Sequence, residues 1–185
     1  PLDASADRPR QRTTDKMFRV RDGRETCALH VEVEREWRPR TLPKRMFDYA
    51  SAAHSATGLP TISVVLLLRK GGSPPKSPAT YRVRALGTDV LLLRYYIVPL
   101  FELDARQMQR RLPPEAWALL VAMKGATKTY VRELATEIAS NTELPPHRRD
   151  MALSLLYLVV AAILGVEAAR GLAQMDAIME SPGVR

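Results

Sequence analysis

The sequence predicts an α/β fold, a mixed sheet followed by helices, and three observations carry that expectation. Residues 27–34 alternate apolar and polar side chains, the period of a strand. Residues 61–68 form a continuous β-branched and leucine run, expected of a strand buried on both faces. After Pro99 the pattern turns helical, with proline pairs marking the breaks. The chain has 185 residues, enough for a domain with a substantial core.

Taken in order, Asp15 to Val20 predicts a short strand, and Arg21-Asp-Gly-Arg24 a turn, because Asp-Gly favours positive φ. In the strand that follows, Cys27, Leu29, Val31 and Val33 fall on one face, and Ala28, His30, Glu32 and Glu34 on the other. A helix is expected next. Thr41 is its N-cap, Pro43 suits its first turn, and Gly58 and Pro60 stop it. Strand, helix and the run from Thr61 to Leu68 form a βαβ unit, so the two strands are expected to lie parallel with a right-handed crossover. Thr80 to Leu86 and Val90 to Val98 predict two more strands around a turn at Gly87-Thr88-Asp89. Helices are expected over Leu103 to Arg111, Glu115 to Met123 and Lys128 to Ser140, then one or two from His147 to about Met179. Cys27 and Trp117 are expected in the core, and Trp37 at a sheet edge.

Composition narrows the function classes. Lys and Arg number 28 against 20 Asp and Glu, a net charge of +8. That excludes an acidic solvating protein and leaves polyanions open as partners. Residues 51–100 hold Arg69, Lys70, Lys76, Arg82, Arg84 and Arg94 against Asp89 alone. Such an excess is either a solvated surface or a phosphate-contacting one. Cys27, the single cysteine, excludes an internal disulfide and a Cys-based zinc cluster. His30, His54 and His147 lie too far apart in sequence for an HExxH-type pair. Gly71-Gly72 runs into Ser73-Pro74-Pro75 and reads as a turn, not as a phosphate loop. The front of the chain is polar, broken by proline and lacks an initiating Met, which predicts a linker or truncated N-terminus over residues 1–13. The uncharged stretch 151–166 has 16 residues, short of the ~20 of a membrane span. A buried helix is the expectation there, with a cytoplasmic location and no membrane partner.

Asp15, Glu32 and Glu34 are the candidates for chemistry. Glu32 and Glu34 stand two apart on a strand and point the same way, beside His30. Asp15 belongs to the neighbouring strand of the hairpin, on the face of Arg19. If those faces coincide, three carboxylates converge, and converging carboxylates need a neutralising partner. A divalent cation is one such partner, and near a basic surface it suggests phosphodiester cleavage. The other reading is a solvent-facing strand whose glutamates pair with Arg19, Arg21 or Arg35 across the hairpin.

The segments Thr14-Asp-Lys-Met-Phe-Arg-Val20, Leu29-His-Val-Glu-Val-Glu34 and Lys44-Arg-Met-Phe-Asp-Tyr49 together resemble the Rpn-type recombination-promoting nucleases. That transposase-associated family belongs to the PD-(D/E)xK superfamily. Ile97-Val-Pro-Leu100, after its leucine-rich strand, is similar as well. The resemblance covers roughly residues 14–125 and is strongest over 29–49. It implies a mixed β-sheet of the PD-(D/E)xK restriction-endonuclease-like type, with a nuclease-like core over 14–125 and a helical C-terminal region over 126–185. It also implies Mg²⁺-dependent cleavage of DNA with little sequence specificity, Mn²⁺ being an alternative metal. Carried over by position, Asp15 and Glu32 match the metal ligands, Val33 supplies a backbone carbonyl ligand, and Tyr49 steadies the site. His30 stands as a supporting residue or a plain strand histidine. Arg45 is either a phosphate contact or a helix-surface arginine, and Arg82 and Arg84 are the candidate DNA contacts of the basic stretch.

Two departures bear on activity. Glu34 occupies the place of the superfamily's lysine, often glutamine in this family, and a carboxylate brings no positive charge there. The helix that normally precedes the Asp strand has no counterpart in residues 1–14. Two alternatives therefore stand beside the nuclease: an inactive DNA-binding or regulatory relative, and an assembly module oligomerising through its C-terminal helices. The triplet Lys124, Lys128 and Arg132, spaced by four, reads as a phosphate stripe or a solvated helix face.

Overall fold

The computed structural model describes residues 16–173. Asp15, the N-terminal stretch 1–13 and the end of the expected last helix lie outside the described residues. The chain divides into two units, one running to Leu66 with 72–98 added, the other made of 67–71 and everything from Pro99 onward.

The first unit is a mixed five-stranded sheet. Its strands are β1 (Lys16–Asp22), β2 (Glu25–Glu34), β3 (Thr61–Leu67), β4 (Ala79–Ala85) and β5 (Thr88–Pro99), in the order β1-β2-β3-β5-β4. β1 and β2 form the expected antiparallel hairpin, turning at Gly23, whose φ of 57° is the left-handed conformation that favours glycine. β4 and β5 are antiparallel with a bulge between Val83 and Arg84. Their turn falls on Leu86 and Gly87, one residue earlier than expected, and both have positive φ, 51° and 79°. That is the primed turn whose twist matches a hairpin. Helix α1 (Leu42–Thr57) connects β2 to its neighbour β3, starts one residue after Thr41 and ends on a left-handed Gly58. The Thr41 side chain makes no capping hydrogen bond; Pro43 in the first turn sets the start.

Two expectations about burial are corrected. β3 is buried on one face only: Ser63, Val65 and Leu67 are buried, whereas Ile62 is 42% exposed. On β2 it is the polar face, Ala28, His30, Glu32 and Glu34, that is buried. The register explains this. Phe18 and Val20 sit opposite Leu29 and Cys27, so the apolar residues of both strands line the outer face, and Phe18 and Val33 are 47% and 41% exposed. Cys27 is accordingly half-buried rather than a core thiol. The inner face receives α1 through Leu42, Met46, Ala50 and Ala53, and Phe47 of α1 meets Tyr81 of β4 at 5.7 Å between ring centroids. Trp37 is buried, and its indole and backbone lie 3.4 Å from where a Cβ on Gly72 would stand.

The second unit is helical. Its elements are α2 (Ala105–Gln109), a 3₁₀ segment (Pro114–Ala122), α3 (Lys128–Ser140), α4 (Pro146–Leu164) and α5 (Val166–Ala173). The α-helix expected over Glu115 to Met123 is instead this 3₁₀ segment, entered through Pro113 and Pro114. It still buries Trp117, whose Nε1 donates to the Leu112 carbonyl at 3.0 Å. Asp104 caps α2 by accepting from the Gln107 N–H, and Thr127 caps α3 by accepting from Tyr130 N–H. Tyr130 is buried and donates to Gln109 at 2.9 Å. Burial pushes its phenol pKa up, against the opposing pull of Arg106, whose guanidinium lies over the ring. Gly165, with φ of 98°, separates α4 from α5. The core holds Leu134, Ile138, Leu156 and Val160.

Leu86 pays for its left-handed backbone as a non-glycine residue. Leu86→Asn creates the Asn-Gly pair that this turn type prefers. It should raise the unfolding free energy by about 0.5–1 kcal/mol. Met46→Ala, at a fully buried position, should lower it by about 2–5 kcal/mol. Urea unfolding of both variants is the measurement.

Candidate functional site

The site forms where β2 meets α1. His30, Glu32 and Glu34 follow one another at period two, so all three side chains turn to the inner face. Arg45 and Tyr49 are one helical turn apart on α1 and face the sheet together. The Arg45 guanidinium contacts Glu32 Oε1 at 2.6 Å and also contacts Glu34 Oε1. Both glutamates are nearly buried, and the Arg45 side chain is 25% exposed. One guanidinium thus holds two carboxylates beneath the helix.

The cluster extends toward β3. His30 is fully buried, and its Nδ1 lies 3.3 Å from the Ser63 hydroxyl. Its Nε2 lies 3.7 Å from Glu32 Oε2, and neither of those atoms has a hydrogen-bond partner among the described residues. The edge of the His30 ring meets the Tyr49 ring at 5.2 Å between centroids with planes 76° apart. Formal charge is not balanced: two carboxylates face one guanidinium. Burial makes that imbalance costly.

The candidate residues fall into four groups. Glu32, Glu34, His30, Tyr49 and Arg45 come together. Asp15 lies outside the described residues. Val33 turns its side chain to the opposite, exposed face, so from this residue only the backbone stands near Glu32 and Glu34. Arg82 and Arg84 are on β4, both exposed and each 3.4 Å from Asp89, so they form a separate basic group on the β4–β5 hairpin. The Glu pairing anticipated from Arg19, Arg21 or Arg35 comes instead from Arg45. Lys124 precedes α3 in a bridge to Asp104, which reduces the expected stripe to Lys128 and Arg132. Ser63 was not singled out by the sequence. Its signal was present: a serine within an apolar run, at a position facing the same side as Val65.

No protein-family model, no curated protein and no solved structure matches the chain. Among the described residues no three His, Cys, Asp or Glu side chains are placed to hold a metal ion. Glu32 Oε2 is nevertheless a buried carboxylate oxygen without a hydrogen bond, the kind of hard donor that Mg²⁺ takes. Glu32 therefore suits one ligand position, while Glu34 is occupied by Arg45.

Removing Arg45 leaves two buried carboxylates without their counter-charge. Arg45→Met should lower the unfolding free energy at neutral pH by about 1–3 kcal/mol, less than for a fully buried pair because the arginine is partly solvated. Adding Glu34→Gln should restore part of that loss. A double-mutant cycle by denaturant unfolding should give a coupling of about 0.5–3 kcal/mol.

Proposed function

We propose that the chain is a metal-dependent, transposase-associated endodeoxyribonuclease that hydrolyses phosphodiesters with little sequence preference. The observation that carries this reading is the placement of Glu32 and Glu34 side by side on the buried face of β2, with Glu32 Oε2 left without a hydrogen-bond partner. The mixed sheet with α1 packed on that face is compatible with the nuclease core implied by the family resemblance.

In this reading Glu32 and Asp15 hold Mg²⁺, or Mn²⁺, with the Val33 carbonyl beside them. A metal held there would supply a Lewis acid for phosphate oxygens and a water of lowered pKa. Arg45 fixes the glutamate carboxylates in one orientation, and its partly exposed guanidinium can meet a phosphate. Tyr49 and Ser63 hold the His30 ring from two sides. Arg82, Arg84 and Arg94 bind the DNA backbone without reading bases. Arg94 makes no ion pair among the described residues and is exposed.

A second reading has its own observation. Arg45 bridges both carboxylates, so the cluster is held by a protein cation where the first reading places a metal. Together with Glu34 in the lysine or glutamine place, that favours a DNA-binding or regulatory relative without catalysis.

A plasmid-nicking assay separates the two. With Mg²⁺ the wild-type chain should nick, Asp15→Ala and Glu32→Ala should not, and Glu34→Gln should nick faster because a like charge has left the site. Calorimetry should show Mg²⁺ or Mn²⁺ binding lost in Asp15→Ala and Glu32→Ala. Nicking by both Ala variants at the wild-type rate removes the mechanism, and absence of nicking and metal binding in every variant selects the inactive relative. DNA affinity should fall with salt, with a slope of ~0.9 per phosphate contact on duplex DNA. Arg82→Ala with Arg84→Ala should flatten that slope, as measured by fluorescence anisotropy from low to moderate salt.

A further inference from the structure

Helix α4 is apolar on two sides. Its inner stripe, Ala152, Leu153, Leu156, Val160 and Ile163, is buried in the second unit. Its outer stripe is Met151, Leu155, Leu158 and Ala162, with Met151 59%, Leu155 39% and Leu158 67% exposed. Solvent-facing sides of helices are ordinarily polar. From Met151 to Val166 there is no charged residue at all. The outer positions are spaced 4-3-4, the repeat of a coiled-coil seam, so they stack along one line of the helix.

We infer that α4 pairs antiparallel with α4 of a second copy of this chain, related by a two-fold axis between Leu155 and Leu158. The order of side-chain sizes selects that orientation. Antiparallel pairing about this axis sets Leu155 against the partner's Leu158 and Met151 against the partner's Ala162. Met151 at one end of the stripe thus faces Ala162, the smallest side chain of the stripe, at the other end. A parallel pair would stack Met151 on itself and leave Ala162 facing Ala162, an overfilled layer and an underfilled one. Charge agrees. The same register brings Arg148, which within its own chain also reaches Glu115 at 3.5 Å, to the partner's Gly165, where the α4 carbonyls end and the helix is negative. A parallel pair would instead bring Arg148 against Arg148. No described helix is long and apolar enough to cross a membrane, so a lipid-spanning role does not account for the second apolar stripe. The seam is short, about 16 Å from Met151 to Ala162 at the helical rise. The dimer should accordingly be of modest affinity, with a Kd on the order of micromolar.

Light scattering on the full chain across a dilution series is the first test. The wild-type chain should be a dimer near 100 times the Kd and a monomer well below it, and Leu158→Glu should raise the Kd at least tenfold with an unchanged circular dichroism spectrum. Phe18→Ser, on the outer sheet face, should leave the Kd alone. Cysteine pairing reads the orientation in a Cys27→Ser background. Met151→Cys mixed with Ala162→Cys should oxidise to a disulfide-linked dimer, and neither variant alone should. A chain that stays monomeric at high concentration overturns the inference. So does a dimer that survives Leu158→Glu, one lost to Phe18→Ser, or efficient crosslinking of Met151→Cys with itself.

Discussion

The contact on which the first unit depends is the pairing of Arg45 with Glu32 and Glu34 beneath α1. A strand with two glutamates on one face would ordinarily turn that face to water. Here the glutamates go inward, and one guanidinium from the covering helix makes this tolerable. The choice of face for β2 fixes the faces of its neighbours, because strand side chains alternate strictly. Phe18, Val20, Cys27 and Leu29 are therefore sent outward together. A local ionic contact thus sets which side of the whole sheet is core.

That arrangement also ties any chemistry to the packing of α1. The helix buries Leu42, Met46, Ala50 and Ala53 against the sheet, and Arg45 and Tyr49 travel with them. Their reach to Glu32 and His30 is set by apolar contacts on the same helix face, not by a loop. Ser63 and Tyr49 restrain His30 from two elements, so the inner face of β2 is preorganised in the sense that its polar groups already hold one another in place.

Much of the secondary structure was legible in the sequence because its signals are local. Asp22-Gly23 and Gly58 mark their turn and cap by backbone chemistry alone, and α3 runs over the residues its periodicity indicates. What was not legible was which face of the sheet is buried. Alternation reports two faces, and apolar content is a guide to the inner one only when nothing else neutralises the polar side. Arg45 is eleven residues from Glu34, and no period links a helix residue to a strand residue. The convergence of Glu32, Glu34 and His30 followed from strand geometry, whereas their partner and Ser63 required the tertiary fold. The 3₁₀ segment over Pro114–Ala122 escaped for a different reason. Trp117, Leu120 and Val121 are compatible with either helix type, and the proline pair before them constrains only the start.

The two strands at the margins of the sheet share a chemistry that the DNA question alone does not explain. β1 interleaves Arg19 and Arg21 with its apolar residues, and β4 carries Arg82 and Arg84 beside a bulge. Margin strands offer unpaired N–H and C=O groups to any passing strand, and an open apolar face next to them compounds the hazard. Repelling cations and a bulge at those margins keep two sheets from zipping into a continuous ribbon. Part of the chain's positive charge thus stands where like charges oppose edge-to-edge pairing of a sheet that is apolar on its outer side.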